Sequence, residues 1–296
     1  MLPAADHAGP TTGSATEPQP EPAPVPIRPL RFRELMDLPF ELVQRRIKLL
    51  AALCGAGAAV SAAVAIGCTL VVIALAGDSD AAVAVGAVLI TLVCLWFLRL
   101  YVRGVTTVVA VAEVYRQPPG WRSALRRLLP HLPALALFQL KYTLIGVGVL
   151  ALGVPLVITL PFAVIWLGWL RARQYTTAPV IVGESATAAV AAQRAKTLAQ
   201  GTEWQLVGVW MALRTLLPVL LLPMLLALEL VAEFTGTHRP AVIALIISVV
   251  MLWTAFADTI ESATQAVVYV DRRCRREGWD IRIPRPATAT GNGAPS

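Results

Sequence analysis

Long apolar runs, separated by short polar stretches, dominate the chain between residues 49 and 270. The first run, residues 49–76, contains no charged residue, and a second run covers residues 81–98. Residues 132–170 form a third run in which Lys141 is the sole charge. This run is long enough for two spans, because one membrane-crossing helix needs about 20 residues. Pro155 predicts the break between them, since proline lacks an N–H donor and clashes with the preceding helical turn.

The pattern predicts an all-α, polytopic integral membrane protein with six transmembrane helices and additional interfacial amphipathic helices. The six spans lie at about residues 49–76, 81–102, 132–152, 155–172, 204–231 and 241–270, within a membrane domain of residues 30–283. Residues 1–29 hold eight prolines and predict a disordered, Pro-rich cytoplasmic tail, and residues 284–296 predict a second disordered tail.

Two stretches outside the spans have the pattern of amphipathic helices. Residues 33–48 bring Leu35, Leu38, Leu42 and Ile47 to one face, which is typical of a helix that lies on a membrane surface. Residues 186–199 follow Ser185, a residue suited to cap a helix, and their Ala-rich composition favours close packing against other helices.

The distribution of Lys and Arg predicts the orientation of the chain. With six spans, the two termini and two of the loops share one side of the membrane, and that side carries 22 Lys and Arg residues. The loops on the opposite side carry one, Arg239. Because cytoplasmic loops are enriched in basic residues, we expect a multi-pass protein of the cytoplasmic (plasma) membrane with both termini in the cytoplasm. The sequence leaves the oligomeric state open.

Composition narrows the class further. Apolar residues make up 57% of the chain and charged residues 15%, with a mean hydropathy of +0.68. Soluble domains contain about 25% charged residues, so a large soluble domain is excluded. The net charge of +7 does not predict a nucleic-acid partner, because the basic residues lie in short groups between the apolar runs. We expect membrane lipids and other membrane proteins as the partners.

The sequence contains no pattern of catalytic or metal-ligating residues. Its four Cys have no paired spacing and its three His are far apart, so we expect no disulfide framework, metal site or cofactor. A phosphate-binding loop, a zinc-protease motif and a Ser with a plausible His partner are all missing. We therefore expect no catalytic residues and no enzymatic activity.

The last span carries polar residues at helical spacing, among them Asp258, Glu261 and Gln265. Charges within a membrane are costly unless they face the interior of a bundle. The helical rise places Lys141 and Arg214 at a similar depth, about 12–14 Å from the basic side. These residues form either a binding or proton-relay site, or structural ion pairs that fix how the spans dock. Two cations against two carboxylates favour the structural interpretation and leave the functional one open.

Clusters of basic residues flank the first and last spans on the predicted cytoplasmic side. Such residues are typical of surfaces that attract anionic lipids. We expect six of them to face the lipid: Arg45, Arg46, Arg272, Arg273, Arg275 and Arg276.

Three segments resemble the glycerophosphoryl diester phosphodiesterase membrane domain family. They are residues 28–37, which precede the first amphipathic turn; Pro-Val-Ile-Val-Gly-Glu at 179–184, followed by Arg194, Gly201 and Trp204; and residues 269–281 at the end of the last span. The resemblance covers roughly residues 28–282 and implies a six-span membrane protein. It extends to the membrane part of that family and not to the separate catalytic domain with which some members are fused. The Ala-, Arg- and Pro-rich composition is also similar to that of actinobacterial proteins.

Two functional hypotheses follow from these features. The leading one is a non-enzymatic membrane scaffold or accessory component that acts through lipids or protein partners. The alternative is a transporter or lipid-handling protein that uses the intramembrane charged residues.

Overall fold

The structure, a computed structural model, describes residues 30–76, 79–153, 159–235 and 239–278. Of these residues 91% are helical and none lies in a strand, which confirms the all-α class. The helices in this part of the chain are α1 (Phe32–Arg45), α2 (Ile47–Ala76), α3 (Asp80–Val114), α4 (Trp121–Leu128), α5 (Leu132–Gly153), α6 (Leu160–Ala172), α7 (Thr177–Glu184), α8 (Ala188–Ala199), α9 (Glu203–Thr235) and α10 (Arg239–Glu277). Both predicted disordered tails, residues 1–29 and 284–296, lie outside the described residues.

Five helical stretches are long and apolar enough to cross a membrane, so the chain is a multi-pass membrane protein. They are Ile47–Leu75, Ala81–Val114, Trp121–Leu152, Glu203–Leu228 and Ala241–Glu277. The predicted fourth span, residues 155–172, corresponds to α6, which has 13 residues and rises about 20 Å. Residues 154–158, which precede it, are not among the described residues. Six spans are therefore not confirmed.

The longest helices exceed the thickness of a bilayer. Helix α10 has 39 residues and α3 has 35, which correspond to about 58 Å and about 52 Å. The hydrocarbon core of a bilayer is about 30 Å thick, so both helices must continue beyond it. Sequence analysis ended the corresponding spans at residues 102 and 270, whereas the helices continue to Val114 and Glu277.

The exposure of side chains along α3 and α10 divides the bundle into two halves. We call the half that contains the start of both helices, with outward-facing hydrophobic side chains, the apolar half, and the half that contains residues 104–113 and 258–272 the charged half. In the apolar half, large hydrophobic side chains face outward, for example Val85, Leu92 and Phe97 on α3. In the charged half, residues 104–113 of α3 and residues 258–272 of α10 are buried without interruption. The apolar half therefore has the surface of a membrane-embedded bundle, and the charged half has a protein core of its own.

Helices α3, α7 and α10 form the centre of the charged half. Val105, Ile181 and Tyr269, one from each of these helices, lie in one buried cluster and are at most 2% exposed. Helices α1, α4 and α8 pack around this centre. The two long helices are thus held at both ends, by membrane-type packing in one half and by a surrounding shell in the other.

Helix α1 does not present its apolar face to the membrane as expected. Leu35 and Leu42 are buried in the cluster that includes α10, at 2% and 1% exposure, and Leu38 packs against the same cluster. Ile47, predicted for that face, instead begins α2 and is 54% exposed. The amphipathic pattern is real, but protein covers the apolar face, because α1 packs along the end of α10.

Helix α8 starts two residues later than predicted. Ser185 adopts a left-handed conformation with φ of 51° and ends α7, so Thr187 takes the N-cap position of α8. The Ala-rich face does pack closely, since Ala191 and Ala195 are fully buried.

Candidate functional site

Six charged side chains from four helices meet where the two halves join, and we call this set the charge layer. Helix α10 supplies the carboxylates, and helices α3, α6 and α9 supply the guanidinium groups. The members are Arg99, Arg103, Arg171, Arg214, Asp258 and Glu261.

Arg103 is the centre of the charge layer, because it binds both carboxylates. Its Nε donates to Asp258 Oδ1 at 3.0 Å and its Nη2 donates to Glu261 Oε2 at 2.9 Å. One turn away on α3, Arg99 Nε donates to Asp258 Oδ2 at 3.1 Å. The spacings of four residues on α3 and three on α10 place each pair on one face of its helix, so the two faces interlock. Both carboxylates are buried, at 2% and 7% exposure.

Arg214 and Arg171 extend the layer toward α9 and α6. Arg214 Nη2 donates to Glu261 Oε2 at 2.9 Å. Arg171 Nη2 donates to the backbone carbonyl of Tyr142 at 3.3 Å, and its guanidinium lies 5.2 Å from the Tyr142 ring centre. No carboxylate within the described residues pairs with Arg171. The layer therefore holds four guanidinium groups against two carboxylates.

Two cavities adjoin the charge layer. The larger measures about 170 Å³, comparable with the roughly 150 Å³ cavity that accommodates a benzene molecule. It lies between α9 and α10, with Arg99 reaching it from α3. Its lining consists of Arg99, Leu213, Arg214, Leu217, Pro218, Leu221, Trp253, Thr254, Ala257, Asp258 and Glu261. The exposed side chain of Pro218 shows that this cavity opens on the outer surface of the bundle.

The smaller cavity measures about 20 Å³, which suits one water molecule, and both aromatic and polar side chains line it. Arg103, Arg171, Tyr175 and Gln265 are among its lining residues, together with Glu261. Glu261 therefore separates the two cavities and contributes to both.

Several buried polar atoms of the residues that line these cavities lack a hydrogen-bond partner within the described part of the chain. At the larger cavity they are Arg214 Nε and Trp253 Nε1, which are both N–H donors. At the smaller cavity they are Arg171 Nε, Gln174 Oε1, Tyr175 OH and Trp210 Nε1. An unpartnered buried donor costs about 1–3 kcal/mol, so the larger cavity is short of acceptor atoms.

The depth of the charge layer follows from the helix ends. Asp258 lies 19 residues from Arg239, where α10 begins, and Arg99 lies 19 residues from Asp80, where α3 begins. Both separations correspond to about 28 Å, close to the 30 Å thickness of the hydrocarbon core. If these polar helix ends lie at one membrane surface, the charge layer lies at the opposite boundary and not at mid-membrane. Lipid phosphate groups are found at this boundary.

The structure brings together four of the five predicted intramembrane residues. Asp258, Glu261 and Arg214 belong to the charge layer, and Gln265 lines the smaller cavity. Lys141 does not join them: it is exposed on α5 and forms no ion pair with a described residue. Lys141 was included in the predicted site because its depth equals that of Arg214, but its position around the α5 axis makes it face outward.

Arg99, Arg103 and Arg171 were not among the residues predicted for the intramembrane site. Arg99 and Arg103 directly follow an apolar run that ends at residue 98, so they were counted with the basic residues of the cytoplasmic side, although the predicted span extends to residue 102. Their spacing of one helical turn directly after an apolar run was the available signal. Arg171 occupies the same position at the end of α6.

Three of the six basic residues expected to face the lipid differ in how far they are buried. Arg272 is 3% exposed, so it does not face lipid. Arg46 is half-buried against Glu113, and the hydrogen bond that it donates to that carboxylate raises the pKa of the Arg46 guanidinium above its ordinary value. Arg45 is exposed and pairs with Glu41 on its own helix at 2.8 Å, which leaves it at the surface.

The remaining three basic residues belong to a polar network around the end of α10. Arg273 Nε donates to Glu277 Oε2 at 3.0 Å, and Arg275 Nε donates to Asp271 Oδ1 at 2.9 Å. Arg276 donates to the backbone carbonyl of residue 200. Arg275 and Arg276 are exposed, yet each donates to the protein as well as facing outward.

The same network joins the three segments that carry the family resemblance. Asp271 Oδ1 accepts the backbone N–H of Leu30 at 2.7 Å, and Tyr269 OH donates to Glu184 Oε1 at 2.9 Å. Arg194 binds both Glu184 and Glu277, the latter at 2.7 Å. Although these segments are distant in sequence, their contacts hold α1, α7 and α8 against the end of α10.

Among the described residues, no group of three or more His, Cys, Asp or Glu is arranged to hold a metal ion. The fold and the site define a multi-pass, all-α membrane protein with an arginine-rich layer at the junction of its two halves. No family model, no curated protein and no solved structure matches the chain. The resemblance to the glycerophosphoryl diester phosphodiesterase membrane domain family stays a prediction.

Proposed function

We propose that this chain is a non-enzymatic component of the cytoplasmic membrane that binds an anionic group in its charge layer and acts through lipids. The excess of guanidinium groups carries the proposal. Four Arg against two carboxylates leave two positive charges of the layer without a counter-charge among the described residues. Uncompensated charge in a low-dielectric site costs several kcal/mol, and a bound anion offsets that cost.

This count changes the balance between the two hypotheses. Two cations against two carboxylates favoured purely structural ion pairs, which need no ligand. Four against two favours a lipid-handling protein, in which the carboxylates arrange the guanidinium groups and an anion completes the set. The unpartnered donors at the larger cavity support the same choice.

The proposed orientation places both termini and the charged half in the cytoplasm. It is supported by the concentration of Lys and Arg on that side of the sequence. A periplasmic reporter enzyme fused after Asp80 should be active, and one fused after Arg127 should be inactive. The reverse pattern would contradict this orientation.

The anion-binding proposal is tested by two substitutions with opposite expected effects. The protein, delipidated in detergent, is titrated with inorganic phosphate, and the rise in its unfolding temperature measures binding, since a ligand stabilises the state that binds it. Arg214→Gln removes one positive charge and should weaken phosphate binding about tenfold, and Glu261→Gln removes one negative charge and should strengthen it by a similar factor, about 1.4 kcal/mol each.

Lys141→Gln is the matched control for this test, because it also removes one positive charge but from the outer surface of α5. Its phosphate affinity should equal that of the unmodified protein. Two outcomes would show that the charge layer is a set of structural ion pairs only. In the first, all three variants bind phosphate equally. In the second, neither the variants nor the unmodified protein respond to phosphate.

A second candidate function is transport of an anionic solute. It is favoured by Pro218, which interrupts the hydrogen bonding of α9 beside Arg214 and lines the larger cavity. Flux of radiolabelled phosphate into proteoliposomes separates the two candidates. Binding without flux supports the lipid-handling role, and flux that Arg214→Gln abolishes supports transport.

A further inference from the structure

We infer that the groove between α9 and α10 holds one anionic phospholipid, with its phosphate against Arg99 and Arg214 and an acyl chain along Leu217, Leu221 and Trp253. This inference rests on the proposed function, since it names the class of ligand that the charge layer binds. Four properties of the groove carry it: its polarity gradient, its opening, its depth and its partly exposed guanidinium groups.

The polarity of the groove changes along its length in the direction a phospholipid requires. Helix α9 runs from the charged half into the apolar half, so Leu217 and Leu221 lie about 5 Å and about 10 Å beyond Arg214. Helix α10 runs the opposite way, and Trp253 lies about 7 Å on the apolar side of Asp258. Guanidinium groups therefore form one end of the groove, and aliphatic and aromatic side chains line the rest.

The groove opens toward the hydrocarbon and not toward water. Exposed hydrophobic side chains flank it on both helices: Leu216 and Leu220 on α9 are 53% and 51% exposed, and Leu252 and Phe256 on α10 are 58% and 48% exposed. A surface of this kind lies in the membrane. A ligand that enters between these residues comes from the lipid phase, which favours a lipid over a free anion.

The guanidinium groups of the groove are available to a ligand. Arg99 and Arg214 are 32% and 34% exposed, whereas Arg103 behind them is 15% exposed. The Nε of Arg214 and the Nε1 of Trp253 also lack an acceptor within the described residues, but both atoms are buried, so a ligand meets the exposed part of the two guanidinium groups. A phosphodiester supplies acceptor oxygens and a negative charge together, and guanidinium is the group that proteins use most for such oxygens.

The depth of the groove fits the position of a lipid phosphate. Arg99 lies about 28 Å from the far end of α3, near the boundary of a hydrocarbon core about 30 Å thick. In the proposed orientation this boundary belongs to the cytoplasmic leaflet. A bound lipid thus keeps its phosphate at the level of its neighbours, and no part of it needs to be displaced into the hydrocarbon.

Net charge predicts which phospholipid the groove selects. Phosphatidylglycerol brings one negative charge to a layer with two surplus positive charges. Phosphatidylcholine brings the same phosphate together with a quaternary ammonium group, which would lie near the guanidinium cluster. Like charges in close proximity disfavour binding, so we expect phosphatidylglycerol to bind at least tenfold more tightly than phosphatidylcholine.

Native mass spectrometry of the full chain in detergent tests the inference, with dioleoyl phosphatidylglycerol, dioleoyl phosphatidylcholine and glycerol phosphate as probes. Leu221→Trp fills the apolar part of the groove, and the matched control Leu220→Trp places the same side chain on the adjacent outward face. We expect one phosphatidylglycerol per chain, bound at least tenfold more weakly by Leu221→Trp and unchanged in Leu220→Trp. Glycerol phosphate should bind both variants equally.

A photo-crosslinking experiment on the unmodified protein provides a second test, which does not depend on whether Leu221→Trp folds. Phosphatidylglycerol with a diazirine in its acyl chain should label peptides of α9 and α10 around Leu221 and Trp253 in the unmodified protein. Labelling confined to other helices would overturn the placement. Tight glycerol phosphate binding without lipid selectivity would overturn the inference while the anion-binding proposal stands, and failure of all three probes to bind would overturn both.

Discussion

Glu261 is the carboxylate whose loss should have the largest effect on stability. It is 7% exposed and accepts charge-assisted hydrogen bonds from Arg103 and Arg214, both at 2.9 Å. Glu261→Gln keeps the size of the side chain and removes its charge, which raises the net charge of the layer from +2 to +3. Breaking a buried ion pair by removing one partner costs about 3–5 kcal/mol.

The lower end of that range applies here, because Arg214 is 34% exposed and its ion pair is partly screened. A loss of about 3 kcal/mol corresponds to a decrease of about 6–12 °C in the unfolding temperature of a protein of this size. The measurement is thermal unfolding of the purified protein in detergent, followed by Trp fluorescence and by size-exclusion chromatography after heating.

Glu41→Gln is the matched control, because Glu41 forms an exposed pair with Arg45 at 2.8 Å on α1. An exposed pair of this type contributes about 0.3–0.5 kcal/mol, so its loss should lower the unfolding temperature by no more than about 2 °C. The combined substitution of Glu261→Gln and Arg103→Gln should recover part of the stability, since it leaves fewer unpaired charges. Equal shifts for Glu261→Gln and Glu41→Gln would refute the charge-layer energetics.

Three further substitutions test other parts of the structure. Lys141→Gln should change the unfolding temperature by no more than about 1 °C, because Lys141 is exposed. A larger decrease would indicate that Lys141 interacts with the charge layer. Asp271→Asn weakens the bond to the backbone N–H that precedes α1, worth about 1.5–3 kcal/mol, so amide exchange in α1 should accelerate about 10- to 100-fold. Gly57→Ala places a Cβ 2.6 Å from the ring of Tyr101 and should cost about 1–3 kcal/mol in an unfolding assay. Gly55→Ala, which meets no atom within 4 Å, should be neutral, and equal effects at both glycines would contradict the packing described here.

Hydrophobic pattern was sufficient to predict the helices of the apolar half. A lipid environment requires every backbone N–H and C=O to be bonded within the segment, so an uncharged run of about 20 residues has few alternatives to a helix. This reasoning holds for α2, whose 30 residues include the whole predicted run of residues 49–76. It is less effective where an apolar run ends, because a helix supported by protein continues through polar residues, as α3 does to Val114.

Pattern also identified Asp258, Glu261 and Arg214, because a charge inside an apolar run stands out. It did not identify Arg99 and Arg103, because a charge just past the end of a run has the pattern of a loop. Depth along a helix can be calculated from the sequence, since each residue rises about 1.5 Å. Rotation about the helix axis and the identity of the neighbouring helix cannot be calculated from the sequence. In the structure, Lys141 faces outward and Arg103 faces the carboxylates.

The sequence alone therefore determined that this protein is helical, that it resides in a membrane, and that its last span carries buried carboxylates. Those properties depend on residue type and local spacing. The tertiary structure decided that four guanidinium groups surround the two carboxylates and that a groove between α9 and α10 adjoins their layer. These properties depend on how the helices pack against one another, and some of the residues brought together, such as Arg99 and Asp258, are more than 100 residues apart in sequence.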